Sequence, residues 1–269
     1  MGWESTISSV KSSIRILIIS ALFLFGCAPK PPKPIIVPEV KVLPVPYALK
    51  AEADSHKATL FWSIDRSRIP VISGYNIYLG NGIKDSSAWK SNPGTPYNQT
   101  PYPGDTDGDI SHESLPLDNL TNGIKYIALV RTVGPDGRES ASSNLVSFQP
   151  LAHGEFIISA NHEAPNGGFN FESETSAPGR DPRSDIYLYA KEDKIGLSSP
   201  YRLGAGFRKS KFSILDNPAS GDDTIRILKG DKLTIKTRYG RAEITIDDIF
   251  GKYPDVTAKV RYIFYPDNP

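Results

Sequence analysis

The stretch "KGDKLTIKTRYGRAEITID" (229–247) alternates apolar and polar residues with a period of two. Leu233 and Ile235 alternate with Lys232, Thr234 and Lys236, and Tyr239-Gly240 separates this run from a second one. A period of two belongs to a strand with one face on a core, not to a helix. The stretch therefore predicts a hairpin. The alternation recurs in 58–64, 73–80, 125–133 and 144–150. Further candidate strands are 155–160, 185–191, 210–215, 224–228 and 256–265. No segment keeps helical periodicity for three turns. Pro (23) and Gly (22) are frequent enough to supply many turns, and "GPDGRES" (134–140) reads as a β-turn between two strands. The expected class is all-β. A chain of 269 residues is long enough for two domains, here 47–150 and 151–269. The second is expected to be a β-sandwich or a small barrel.

The first 26 residues read as a targeting segment. Lys11 and Arg15 precede the apolar run "ILIISALFLFG" (16–26), which is too short to span a bilayer. The run ends in Leu24-Phe25-Gly26-Cys27, and Cys27 is the only cysteine of the chain. This segment resembles the bacterial lipobox, in which the chain is cut before the cysteine and the thiol is lipidated; Phe25 is bulkier than usual there. The resemblance implies residues 1–26 as a lipoprotein signal peptide, Cys27 as the lipid attachment point, and a membrane as partner. Several acyl chains anchor stably where one does not. Ala28 after the cysteine implies the outer membrane. The exported chain would have no cysteine left for a disulfide. Residues 27–46 carry prolines at 29, 31, 32, 34, 38, 44 and 46. They predict a semi-rigid tether of about 3.1 Å per residue.

Residues 47–150 resemble a fibronectin type III domain. The resemblance rests on an opening "ALKAEA", Trp62 in the second strand, "GYNIYL" as the third, and "RTVGPDGRESASSNLVSF" as the last hairpin. Leu120 precedes Tyr126 by six residues, the spacing of that family's tyrosine corner. The resemblance implies a sandwich with Trp62 in its core and a buried Tyr126 whose hydroxyl bonds nearby backbone. It implies no activity. Through "GFNFES", "SDIYLY", "IGLSSPYRLG", "KGDKLTIKTRYGRAEITI" and "VRYIFY", residues 151–269 resemble an uncharacterised β domain found behind such modules in exported bacterial proteins. A thinner likeness, "GFNF" followed by "DIYLY", is to heme-binding outer-membrane lipoproteins. Those use paired histidines, whereas His153 and His162 precede the likeness here.

Candidate sites are few. Trp89, Tyr97 and Tyr102 lie in a turn-rich segment (81–119) and suit a stacking platform for a sugar, or a cover for the sandwich edge. Asp105, Asp107 and Asp109 alternate like the start of a calcium loop. Ile110 and Pro116 stand where such a loop needs Gly and a carboxylate, so weak Ca²⁺ binding and a solvated turn both remain open. Arg202, Arg208, Lys209 and Lys211 form a local basic run. Asp222-Asp223 and Asp247-Asp248 are carboxylate pairs expected to face opposite sides of a strand.

A formal net charge of +1 gives no long-range field for nucleic acid. No hydrolase, zinc-protease or nucleotide-binding motif occurs, and no cofactor is expected. The sequence is therefore expected to encode not an enzyme but a lipid-anchored envelope lipoprotein, a structural or protein-interaction subunit with other envelope proteins as partners. The alternative is a glycan-binding surface module. A cell-wall or glycan hydrolase accessory is the outsider.

Overall fold

The computed structural model describes residues 42–65, 72–106, 108, 109, 111–204, 210–214 and 217–267, without the side chains of 214 and 217–221. The expected signal peptide, Cys27 and the tether up to residue 41 lie outside the described residues, as do Asp107, Arg208 and Lys209. The chain from Lys41 onward forms one compact unit. Its regular structure is almost all strand, in four antiparallel sheets of open order rather than a closed barrel.

Two sheets belong to the first half. One has the order β1-β2-β4, from β1 (Tyr47–Asp54), β2 (Lys57–Ser63) and β4 (His112–Leu117). The other has the order β3-β5-β6, from β3 (Gly74–Asn81), β5 (Tyr126–Val133) and β6 (Val146–Phe148). Their inner faces share a core that includes Leu60, Trp62, Ile77, Leu117, Ala128 and Val130. The Trp62 ring meets Tyr75 edge-on at 5.1 Å, the geometry that ring quadrupoles favour. Tyr126 is buried and its hydroxyl accepts from the Thr121 N–H at 3.0 Å. The spacing of Leu120 and Tyr126 pointed to this contact.

An open sandwich leaves strand edges with unpaired N–H and C=O groups. Side chains close them here, joined at β3 by the backbone of Tyr97 and Tyr102, which bonds Ile77 and Tyr75. At β3, the Asn98 carboxamide accepts from Ile77 N–H (2.8 Å) and donates to Tyr75 C=O (2.9 Å). At β4, the Asp105 carboxylate accepts from Ser114 N–H (2.6 Å), and the Tyr102 hydroxyl donates to Ser114 C=O (2.8 Å). At β1, Asn144 accepts from Leu49 N–H (2.8 Å) and donates to Leu49 C=O (2.9 Å). Each takes the place of a missing strand. Gly74 has φ +142°, and a Cβ there would strike the Tyr102 carbonyl, so the strap carrying Tyr102 approaches β3 only because residue 74 is glycine.

The second half packs a five-stranded sheet on a six-stranded one. The first has the order β14-β11-β10-β8-β9, from β8 (Gly168–Asn170), β9 (Thr175–Ala177), β10 (Ile186–Lys191), β11 (Lys194–Ser198) and β14 (Thr224–Arg226). The second has the order β13-β12-β15-β16-β17-β7, from β7 (Ala152–Ser159), β12 (Lys211–Ile214), β13 (Asn217–Asp222), β15 (Lys232–Lys236), β16 (Gly240–Lys252) and β17 (Asp255–Pro266). The hairpin read from the sequence is β15–β16, with Lys236 opposite Arg241 and Leu233 and Ile235 buried. Phe156 stacks on Phe169 at 3.8 Å, and Phe171, Tyr262 and Phe264 complete an aromatic core. A register shift between Ile246 and Asp248 interrupts the expected alternation at Asp247-Asp248. Asp247 bonds Arg261 and Asp248 pairs with Lys229.

Asn144→Ala is expected to lower the unfolding free energy by roughly 1–3 kcal/mol, because it strands the backbone groups of Leu49. Urea denaturation measures this, and an unchanged midpoint would contradict the edge-closing role.

Candidate functional site

Trp89, Tyr97, Tyr102, Asp105 and Asp109 lie on one strap that runs from β3 to β4. It begins with a single short helix, α1 (Ser86–Ser91), capped by Asp85, which accepts from Ser87 and Ala88 N–H. Trp89 lies against Gly80 of β3, whose added Cβ would sit 3.1 Å from the indole. Tyr97 is half exposed. Tyr102 packs on Trp62, with ring centroids 6.2 Å apart. Among the described residues this is the one ring contact made by the three candidates, and it is to the core rather than to one another. Asp105 closes the β4 edge. Asp109 accepts from Ser111 N–H and hydroxyl and from His112, and the Ser111 bonds hold it down at about 2. Among the described residues no group of three His, Cys, Asp or Glu is placed to hold a metal.

A second network fixes the start of the strap. Glu139 accepts from Tyr78 hydroxyl (2.6 Å), Asn76 (2.5 Å) and Arg131 (2.9 Å). Arg131 also donates to the Lys90 carbonyl on α1 and lies over the Tyr78 ring. Burial and then Glu139 push the Tyr78 phenol up to about 12. Burial acts to raise Glu139, but bonds from Tyr78, Asn76 and Arg131 outweigh it and hold the carboxyl below 4.5. A carboxylate depressed in the folded state stabilises above its unfolded pKa, and this contribution is lost as pH falls.

The densest polar cluster joins the two sandwiches, and the sequence reading did not find it. Glu174, in the β8–β9 turn at φ +55°, accepts at one oxygen from Ser55 hydroxyl (2.9 Å) and Asn122 (3.2 Å). His56 Nε2 lies 2.9 Å from the same oxygen, and its Nδ1 faces the Leu120 carbonyl. The other oxygen accepts from the Tyr262 hydroxyl at 3.1 Å. Burial and then the Glu174 charge raise the Tyr262 phenol. Asn122 also accepts from His56 N–H at 2.8 Å. Beside this hub, His153 Nε2 lies 2.6 Å from Asp54, and Gly123 (φ +84°) abuts Pro266 so closely that a Cβ would overlap the proline ring. His56 is 59 % exposed and Glu174 22 %, so each bond is worth a modest amount. Together they fix one orientation, because the hub draws on β1–β2, the Leu120–Gly123 loop, the β8–β9 turn and β17.

Two concavities border this junction and share His153. One, about 560 Å³, is lined by Glu52, Asp54, Lys57, Thr59 and Pro116. The other, about 670 Å³, lies on the six-stranded sheet between Glu155, Lys232, Glu243, Arg261 and Ile263. Of the basic run, Arg202 is exposed and Lys211 pairs with Asp223 at 2.6 Å.

No protein-family model matches the sequence, and no curated protein matches it. A solved structure titled "Myokine structure" is 17 % identical and covers 40 % of this chain and 98 % of its own, with a TM-score of 0.26. At that score the likeness says nothing of fold or function.

Two results are expected. Glu139→Gln should flatten the loss of stability that the wild type shows as pH falls below about 4.5; identical pH profiles in chemical denaturation would contradict the network. Glu174→Ala should cost about 1 kcal/mol and raise the radius of gyration in small-angle scattering. An unchanged radius would show that the hub does not hold the junction.

Proposed function

We propose that the chain is a lipid-anchored lipoprotein of the bacterial cell envelope, attached to the outer membrane through Cys27, and that it serves a non-catalytic role as a structural or protein-interaction subunit of an envelope or surface assembly. The observation that carries the interaction role is the Glu174 hub with the two concavities beside it. It holds two sandwiches so that their outer faces meet around His153. A fixed surface loses little freedom on docking. Confinement to a membrane raises the effective concentration of partners there, so a modest interface suffices.

The anchor rests on "LFGC" and on the proline tract that follows. The first sandwich is proposed as fibronectin type III-like. The three-plus-three strand arrangement, the buried Trp62 and the Tyr126 hydroxyl on Thr121 support this reading.

Cys27→Ser is expected to leave the protein uncut, unlipidated and released from washed membranes. Crosslinking in intact cells should then capture fewer envelope proteins than with the wild type. Tight membrane attachment of the variant, seen by fractionation and mass, would overturn the anchor.

A further inference from the structure

The strand edges of β1, β3 and β4 are met by side chains, but half of the β7 edge is not. β7 pairs with β17 on one side and is the last strand of its sheet. In an antiparallel ladder, alternate residues turn both backbone groups toward the partner and the next ones turn both away. Ser159 N–H donates to the Asn166 carbonyl, and Ile157 C=O accepts from the Asn166 side chain. The outward residues are therefore His153, Glu155, Ile157 and Ser159. Asn166 covers only the end of this row. Among the described residues, the N–H and C=O of His153 and Glu155 and the N–H of Ile157 have no hydrogen-bond partner. His153, Gly154 and Glu155 are three consecutive exposed residues, and Ile157 is 51 % exposed.

We propose that the His153–Ile157 edge of β7 is a strand-addition site for an extended peptide segment of a partner protein. This deepens the interaction reading and rests on it, but it does not depend on Cys27. Backbone donors and acceptors repeating every second residue match an extended chain, whereas a helix has satisfied its own. The neighbouring side chains set the partner's pattern. On the outer face, a basic residue fits opposite Glu155, whose carboxylate also pairs with Lys259 of β17 at 2.8 Å, and an apolar one opposite Ile157. On the inner face, apolar residues lie beside Phe156 and Gly154; a Cβ on Gly154 itself would sit 3.5 Å from the Tyr262 ring. A second copy fits less well. The one β7-to-β7 pairing that uses all of 153–157 in both copies is centred on Glu155, and it sets like charges directly opposite.

The test uses the full chain in detergent and a fluorescent probe peptide, acetyl-Ile-Val-Lys-Val-Thr-amide. Saturable binding is expected, with new amide-exchange protection at His153 and Glu155. Glu155→Pro removes only an outward N–H, which an edge strand tolerates, and should weaken binding roughly tenfold or more. Glu155→Lys keeps the backbone and should also weaken it, through repulsion of the peptide lysine. No binding by the wild type, equal binding by both variants, or protection elsewhere would overturn the site. Dimers in light scattering with β7 protected in the absence of peptide would assign the edge to a second copy and overturn it as well. Envelope crosslinks that persist in a chain that binds no peptide would retire this site and leave the interaction reading standing.

Discussion

A backbone N–H or C=O at a sheet edge must find a partner or stay in water, and this obligation organises the first sandwich. Neither of its three-stranded sheets closes on itself. Asn98, Asp105 and Asn144 present side-chain groups where a further strand would present backbone. Tyr102 completes the pairing of Ser114 and also packs on Trp62. The turn-rich segment between β3 and β4 is thus a strap across one side of the sandwich. Two of its residues, Tyr102 and Asp105, are held there by edge closure.

The same economy shapes the junction. Glu174 carries one charge yet accepts from Ser55, Asn122 and Tyr262 and meets His56. Left-handed backbone at Glu174 and the absence of a side chain at Gly123 allow the close approach. No single contact there is strong, since the cluster is partly solvated. Its value is geometric. Bonds from four segments leave one relative orientation in which all are made, and that orientation sets the outer faces of two sheets side by side. A fixed surface suits a protein whose proposed work is contact.

Much of the strand architecture was legible in the sequence. The alternating strand Lys232–Lys236 and the largely apolar strand Tyr126–Val133 are both found where the pattern placed them. β4 was not legible because its inward positions include a carboxylate. Glu113 is buried and accepts from the Tyr75 hydroxyl, so the strand lacks a continuous apolar row. β8 and β9 have three residues each, too few to show a period. β11 is interrupted by Gly196, which lets Tyr189 and Ile225 close in. The junction left no local trace. His56 and Glu174 are 118 residues apart, and neither stands out from its neighbours. Of the named candidates, Asp105 and Tyr102 bond to Ser114 of β4, and Asp109 bonds to Ser111 and His112.

Edge closure is the claim on which the rest turns, and native-state amide exchange tests it most directly in the free protein. The amides of Leu49, Ile77 and Ser114 face no neighbouring strand, yet they should exchange slowly because Asn144, Asn98 and Asp105 hold them. The amides of His153 and Glu155, in a six-stranded sheet, should exchange fast, while those of Gly154 and Phe156 remain protected by β17. Fast exchange at Leu49 and Ile77, or protection at His153 and Glu155 without any partner, would contradict the account.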